Sequence, residues 1–327
     1  MQEPKLFALL PDYICTPDGM AVDKDGDLIL SCPNFADVKM SGCLVRIDKE
    51  KNFTKWVDVP VHPQTGVARP MGIAIGEDGD IYICDNQGWS GAEELLYKGR
   101  MLRIRIKDNK AVKTTVIADG MEHPNGVRIL GDHLYVTQSL MSKVKDPSGL
   151  LVSCVYKFHL DDENIQIDNT LDDPNILTTF ITQNTECQYG ADGIAFDKNG
   201  NLYVGNFGDG AVHKITFNKD GSVRENKVWA KNQKELQTTD GMMFDEDGNL
   251  YIADFSANAI AKVNPNGEVT RIAQSPDSDG FNGELDQPGE PCVWRGMLVI
   301  SCFDLVTGPD KVNTKHEMPA TLSQLDL

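Results

Sequence analysis

The sequence predicts an all-β fold, a six-bladed β-propeller of four-stranded antiparallel blades whose ring is closed by the N-terminal strand. Three observations carry that prediction. A short pattern returns six times: a residue that is most often acidic or an amide, then Gly, an apolar strand, a D-x-x-G-type turn and a second strand. Its starts are Asp18-Gly19, Met71-Gly72, Asn125-Gly126, Asp192-Gly193, Asp240-Gly241 and Glu290-Pro291, at intervals of 53, 54, 67, 48 and 50 residues. Repeats of roughly 40–50 residues holding several short strands are the mark of propeller blades. The intervals also contain further alternating or apolar stretches between Gly, Asp and Asn turns. Finally, the last repeat stops one strand short, and an unassigned apolar run at the N-terminus can complete it.

That run, residues 5–10, comes first in the chain. Blade one follows from Asp18, with a first turn at Asp23-Lys24-Asp25-Gly26-Asp27 that begins like an EF-hand loop. Its Gly comes too early and Asn34 stands where a bidentate Glu is needed, so a hairpin turn explains it. Blade two reads as strands 73–75, 81–84, 101–106 and 112–117, and blade five repeats the meander at 242–244, 250–253, 260–263 and 269–272. Blade six has strands at 292–294, 297–300 and 321–325, then takes its fourth from the N-terminus, which leaves no open sheet edge.

Composition sets the limits on function. No Pro/Ser/Gly-rich linker divides the 327 residues, so a single domain, 1–327, is expected. With 40% apolar residues, burial is ample and disorder is not expected. The formal charge of −18 argues against nucleic acid and anionic membranes as partners, because both need clustered Lys and Arg. The start of the chain lacks the features of a secretory signal, and no stretch of about 18 apolar residues occurs. A cytoplasmic protein is expected, and its eight cysteines, without a C-x-x-C pair, are read as free thiols. Oligomeric state is left open.

Propeller geometry points the residue before each Gly into one central channel. Those residues are Asp18, Met71, Asn125, Asp192, Asp240 and Glu290. Four carboxylates brought together are costly unless a cation or protons neutralise them, and an oxygen-only set suits a hard cation. Ca²⁺ is expected first, with Mg²⁺, Mn²⁺ or Zn²⁺ as the other candidates. Each Asp-Gly taken singly also reads as a turn dipeptide. The change of residue type from blade to blade is what favours a metal site.

The ends of the second strands form another column, in which Asp85, Asn86 and Gln138 read as a polar wall of a small-molecule pocket and Asn206 as a further substrate-binding candidate. Phe207, Phe255 and Phe303 recur at one position of three successive blades and read as its apolar wall, or else as packing between blades. Insertions at 87–99, with Trp89 and Tyr97, at 140–150 and at 304–319 read as rims or lids. His123, His133 and His213 lie in or beside predicted strands and read first as structural.

The six-fold pattern, Pro124-Asn125-Gly126-Val127, Thr239-Asp240-Gly241-Met242 and Asn249-Leu250-Tyr251-Ile252-Ala253-Asp254 resemble the gluconolactonase, regucalcin (senescence marker protein) and luciferin-regenerating enzyme family. The resemblance spans essentially the whole chain. It implies a six-bladed propeller with a divalent cation, often Ca²⁺, in its channel, and lactone hydrolysis, with phosphotriester cleavage among cousins. The implied ligands are Asp18, Asn125, Asp192 and Asp240, and the implied general base is Asp240. Asp18 stands where the family has Glu and Asp192 where it has Asn. Gly289-Glu290-Pro291-Cys292-Val293-Trp294 echoes a motif that the family carries in blade one, which makes Glu290 an additional ligand candidate. Met243 occupies the slot that some relatives use for a second calcium.

Two readings follow. One is a metal-dependent lactonase in which the ion polarises the carbonyl and a carboxylate takes a proton from water. The other is a non-catalytic propeller that binds a small molecule, peptide or protein on its loop-rich face, with a structural ion.

Overall fold

The computed structural model describes residues 1–306 and 312–327. Six antiparallel sheets follow one another around a ring. Blade one is Met20–Val22, Leu28–Cys32, Cys43–Ile47 and Phe53–Asp58, and blade two is Pro70–Ile75, Ile81–Asp85, Gly99–Lys107 and Lys110–Met121. Blades three and four are Pro124–Leu130, His133–Gln138, Val152–His159 and Ile176–Ile181, then Ala191–Phe196, Leu202–Asn206, Ala211–Phe217 and Val223–Lys231. Met242–Phe244, Leu250–Asp254, Ala259–Val263 and Val269–Gln274 make blade five. In blade six, Pro288–Trp294, Met297–Cys302 and Thr321–Asp326 are joined by the N-terminal strand Lys5–Leu9, which pairs antiparallel with Thr321–Asp326. The closure expected from the sequence is present. One addition was not expected: Ile165–Gln166, from the long connection of blade three, lies parallel to the outer strand of blade two as a fifth strand.

The second strands are buried along their whole length, as in Leu28–Cys32, Ile81–Asp85 and Leu250–Asp254, because blades pack against them on both faces. Outer strands are mostly exposed or half-buried, as in Val223–Lys231. The core is thus a series of inter-blade clusters. One joins Tyr82, Cys84 and Met101 of blade two to Val127, Val136 and Tyr156 of blade three. Seven of the eight cysteines are buried, and none is in a disulfide.

The hairpin turns run on one device. Asp23 Oδ1 accepts the amides of Asp25 at 2.9 Å and Asp27 at 3.0 Å, and Asp197 Oδ1 does the same with Asn199 and Asn201 at 2.9 Å each. The EF-hand-like stretch is therefore such a turn.

The repeat glycines have a different cause from the turn chemistry considered for them. Gly193 and Gly72 lie in the innermost strands with ordinary φ, and a Cβ there would sit 2.0 Å from the carbonyl oxygen of Asp240 and 2.3 Å from that of Asn125, respectively. At these glycines the innermost strand runs against the backbone of the next blade, so a side chain there would force the two blades apart; blade six has Pro291 at the corresponding position. The pairing register also shifts between Pro70 and Ile73, Pro124 and Val127, Ala191 and Ile194, and Pro288 and Pro291. Met71, Asn125, Asp192 and Glu290 sit inside these bulges, which aim side chains out of the regular alternation.

Candidate functional site

The bulged starts of the inner strands surround one cavity of about 390 Å³. Asp18, Met71, Asn125, Asp192 and Asp240 line it together with Tyr189, Trp89, Phe207, Phe255 and Phe303. Asp18 and Asp192 are buried, whereas Asp240 is half-buried. Asp240 Oδ1 accepts the amide of Gly241 at 2.9 Å, and Asn125 Nδ2 donates to Ser139 Oγ at 3.5 Å. A smaller space of about 10 Å³ shares Asp18, Asn125, Asp192 and Asp240 but is bounded also by Arg128 and Glu290.

Burial pushes all four carboxyls of the channel above the usual carboxylate range. For Asp18 it combines with the charge of Glu290 and raises the group to about 7. Asp192 is raised well above its ordinary value by burial and then by Asp18, and Asp240 by burial and then by Asp192. Glu290 is raised by burial against an opposing pull from Arg128, whose Nη2 lies 2.6 Å from Glu290 Oε1. Three carboxyls therefore share a buried space without a counter-charge of their own, a condition that a cation or bound protons must relieve.

The donors are all oxygens, which fits a hard cation. Their spacing is open: among the described residues, no three carboxylates of the channel bring oxygen atoms within 4.8 Å of one another. Asp18, Asn125, Asp192 and Asp240 are the residues that would hold an ion, and as they stand their carboxylates form no closed cage. Glu290 is withdrawn from this set. It does not line the main cavity, and one of its oxygens is taken by Arg128.

The expected polar wall is not where the sequence placed it. Asp85 Oδ1 accepts the amide of Arg69 at 2.7 Å, and its Oδ2 is held by Arg100. Gln138 Oε1 accepts the amide of Glu122 at 2.9 Å, and Asn206 Oδ1 accepts the hydroxyl of Thr182 at 2.8 Å. These side chains point away from the cavity and tie down the segment that enters their own blade, so the end of the second strand has a structural role. Asn86 is buried, with its Nδ2 3.2 Å from Met71 Sδ, and stands behind the cavity wall.

The apolar wall is where it was expected, and it also packs between blades. Phe207, Phe255 and Phe303 form one cluster, with ring centroids 5.9 Å apart for the first pair and 5.7 Å for the second. Trp89 continues it at 5.5 Å from Phe303, and Phe35 stacks on Trp89 at 4.7 Å. Of the three insertions, 87–99 contributes Trp89 and Ser90 and 304–319 contributes Val306, while 140–150 contributes nothing to the lining. Residues 307–311 of the last lie outside the described residues.

Tyr189 was missed in the sequence. It lines the cavity, and its hydroxyl is hydrogen-bonded to Nε2 of His123, which burial holds neutral by lowering it to about 3. The available signal was its place three residues before the Asp192 slot. His213 is bonded to Asn226 and His133 pairs with Asp132, both away from the cavity.

Fold and site together define a class: a six-bladed propeller with an acidic channel opening into an aromatic-walled cavity. Residues 211–280 match the family model described as the SMP-30/Gluconolactonase/LRE-like region, the family named above from the sequence. Comparison with curated proteins gave no match. Among solved structures the chain is similar to a luciferin-regenerating enzyme, at TM-score 0.63 and 12% identity over 98% of this chain and 95% of the other. It is similar to a gluconolactonase of Xanthomonas campestris at TM-score 0.61 and 14% identity, covering 99% and 95%. A third is regucalcin, a calcium-binding protein of Agrobacterium tumefaciens, at TM-score 0.62 and 12% identity over 99% and 93%. Likeness at such identity shows a shared fold, and activity has to be argued from the site.

Proposed function

We propose that the protein is a metal-dependent hydrolase that opens a small lactone, a sugar lactone first among the candidates. One observation carries the reading: Asp18, Asn125, Asp192 and Asp240 converge on a cavity large enough for a small molecule, and they do so without closing into a cage. An ion with a structural role gains from a complete shell, whereas a catalytic one needs open positions. A divalent cation bound there, Ca²⁺ before Mg²⁺, Mn²⁺ or Zn²⁺, would supply a Lewis acid for the substrate carbonyl.

The chain's own groups supply the rest. Asp240 is the channel carboxylate that is only half-buried and so best placed to take a proton from an attacking water. Its bond from the Gly241 amide fixes one oxygen and leaves the other to act. Phe207, Phe255, Phe303 and Trp89 receive the carbon skeleton and exclude water, and Tyr189 presents a hydroxyl at the same wall. The cysteines, none of them in a disulfide, agree with work in the cytoplasm.

The test is a panel of lactones, linear esters and phosphotriesters, assayed after chelation and again with each cation. Turnover of a lactone that returns with the cation supports the reading. Binding of lactones or other small molecules without metal-dependent turnover across the panel would favour the non-catalytic binder.

A further inference from the structure

We propose that blade six carries a divalent-cation site of its own, away from the channel, in which Asp286, Asp304 and Glu317 bind Ca²⁺. Among the described residues these are the one set of three Asp, Glu, His or Cys side chains whose ligand atoms lie within 4.8 Å of one another. At that spacing one ion can reach all three side chains as they stand, since Ca²⁺ holds oxygens at about 2.3–2.6 Å and ligands on opposite sides are about twice that apart.

The second observation is independent of the clustering. Asp286 is 1% exposed, and its Oδ1 has no hydrogen-bond partner among the described residues. Glu317 Oε2 is likewise buried and unpartnered, although its Oε1 meets the exposed Lys315 at 2.8 Å. A buried carboxylate oxygen left without a donor is costly, and such an atom calls for a bound species or a proton to explain it. Asp304 is better served, by the Glu317 amide at 2.7 Å, Asn313 Nδ2 at 3.2 Å and His316 Nδ1 at 3.1 Å, and these hold its carboxylate in place. Among the described residues no Lys or Arg pairs with Asp286, whose carboxyl is pushed up to about 8 by burial and by Asp304. All three donors are carboxylates, which selects a hard cation over zinc.

The placement gives the site a purpose. Asp286 precedes the innermost strand Pro288–Trp294, Asp304 follows Met297–Cys302, and Glu317 precedes Thr321–Asp326. An ion there ties three connections of one blade together. Phe303 and Val306, on either side of Asp304, line the main cavity, so the ion braces part of its wall.

The experiment uses the full chain after chelation. Calcium binding is counted by calorimetry in the wild type, in Asp286→Asn, in Glu317→Gln and in an Asp192→Asn/Asp240→Asn channel variant, and crystals soaked in a lanthanide are inspected for anomalous peaks. The expected result is a peak bonded to all three carboxylates, loss of one bound ion per chain in Asp286→Asn and in Glu317→Gln, and retention of that ion in the channel variant. Absence of the peak at millimolar cation, or equal ion counts in the wild type and a folded Asp286→Asn or Glu317→Gln variant, overturns the proposal and means that Asp286 holds a proton instead. The channel reading is unaffected by either outcome, because its loss appears only in the channel variant.

Discussion

Arg128 and Glu290 stand 162 positions apart in sequence and 2.6 Å apart in the channel, where the guanidinium of blade three reaches the carboxylate of blade six. Arg128 is the single basic residue of its column: the positions three after each slot are Ala21, Ala74, Arg128, Ala195, Met243 and Val293. One cation thus answers one of the four channel carboxylates and leaves Asp18, Asp192 and Asp240 for another.

Arg128→Met should therefore strand a buried Glu290 and cost about 3 kcal/mol of stability in the metal-free protein. Adding Glu290→Gln to that variant should recover most of the loss, as measured by urea denaturation. Glu290→Gln alone should bind calcium in the channel as the wild type does. A channel affinity that falls with Glu290→Gln would return Glu290 to the ligand set.

The glycine column gives a second prediction. Gly193→Ala places a methyl against the Asp240 carbonyl and should cost about 3 kcal/mol or prevent folding, whereas Gly26→Ala, at φ 81 with no atom within 4 Å, should cost only about 1 kcal/mol. Equal shifts of the urea midpoint would mean that the repeat glycines serve turns after all.

The ring, its six starts and its closure by residues 5–9 were legible because each repeat writes the same strand and turn chemistry. The channel slots were legible for the same reason: one position per blade faces one axis. Asp85, Gln138 and Asn206 were misplaced because a column shared by blades says that a role repeats, and hydrogen bonding to the incoming chain repeats as well as pocket lining does. Tyr189 lies outside the repeating columns and the cluster of Asp286, Asp304 and Glu317 within one blade, so reading down the repeats reveals neither. The Arg128–Glu290 pair was visible in sequence only as an odd residue in an apolar column.

Acidity should control cation binding with a definite sign. Asp18, raised to about 7 from its ordinary 3.8, keeps its proton in the folded metal-free protein over a range where the unfolded chain has lost it. Its contribution to metal-free stability is thus present at low pH and is lost as pH rises through about 7. A cation must displace that proton, so channel affinity should rise about tenfold per pH unit below 7 for each proton released. Asp192 and Asp240, also raised well above the usual carboxylate range by burial, should release protons to the cation as well. Calorimetry from acid to mildly alkaline pH measures the slope, and an affinity independent of pH would contradict the account.

The most direct measurement is the rate of lactone opening by Asp240→Asn with cation bound. At saturating calcium the single Asn substitution, which keeps an oxygen ligand, is expected to retain the channel ion by elemental analysis, with turnover reduced by about two to three orders of magnitude. Turnover equal to the wild type, with the ion still in place, would contradict it.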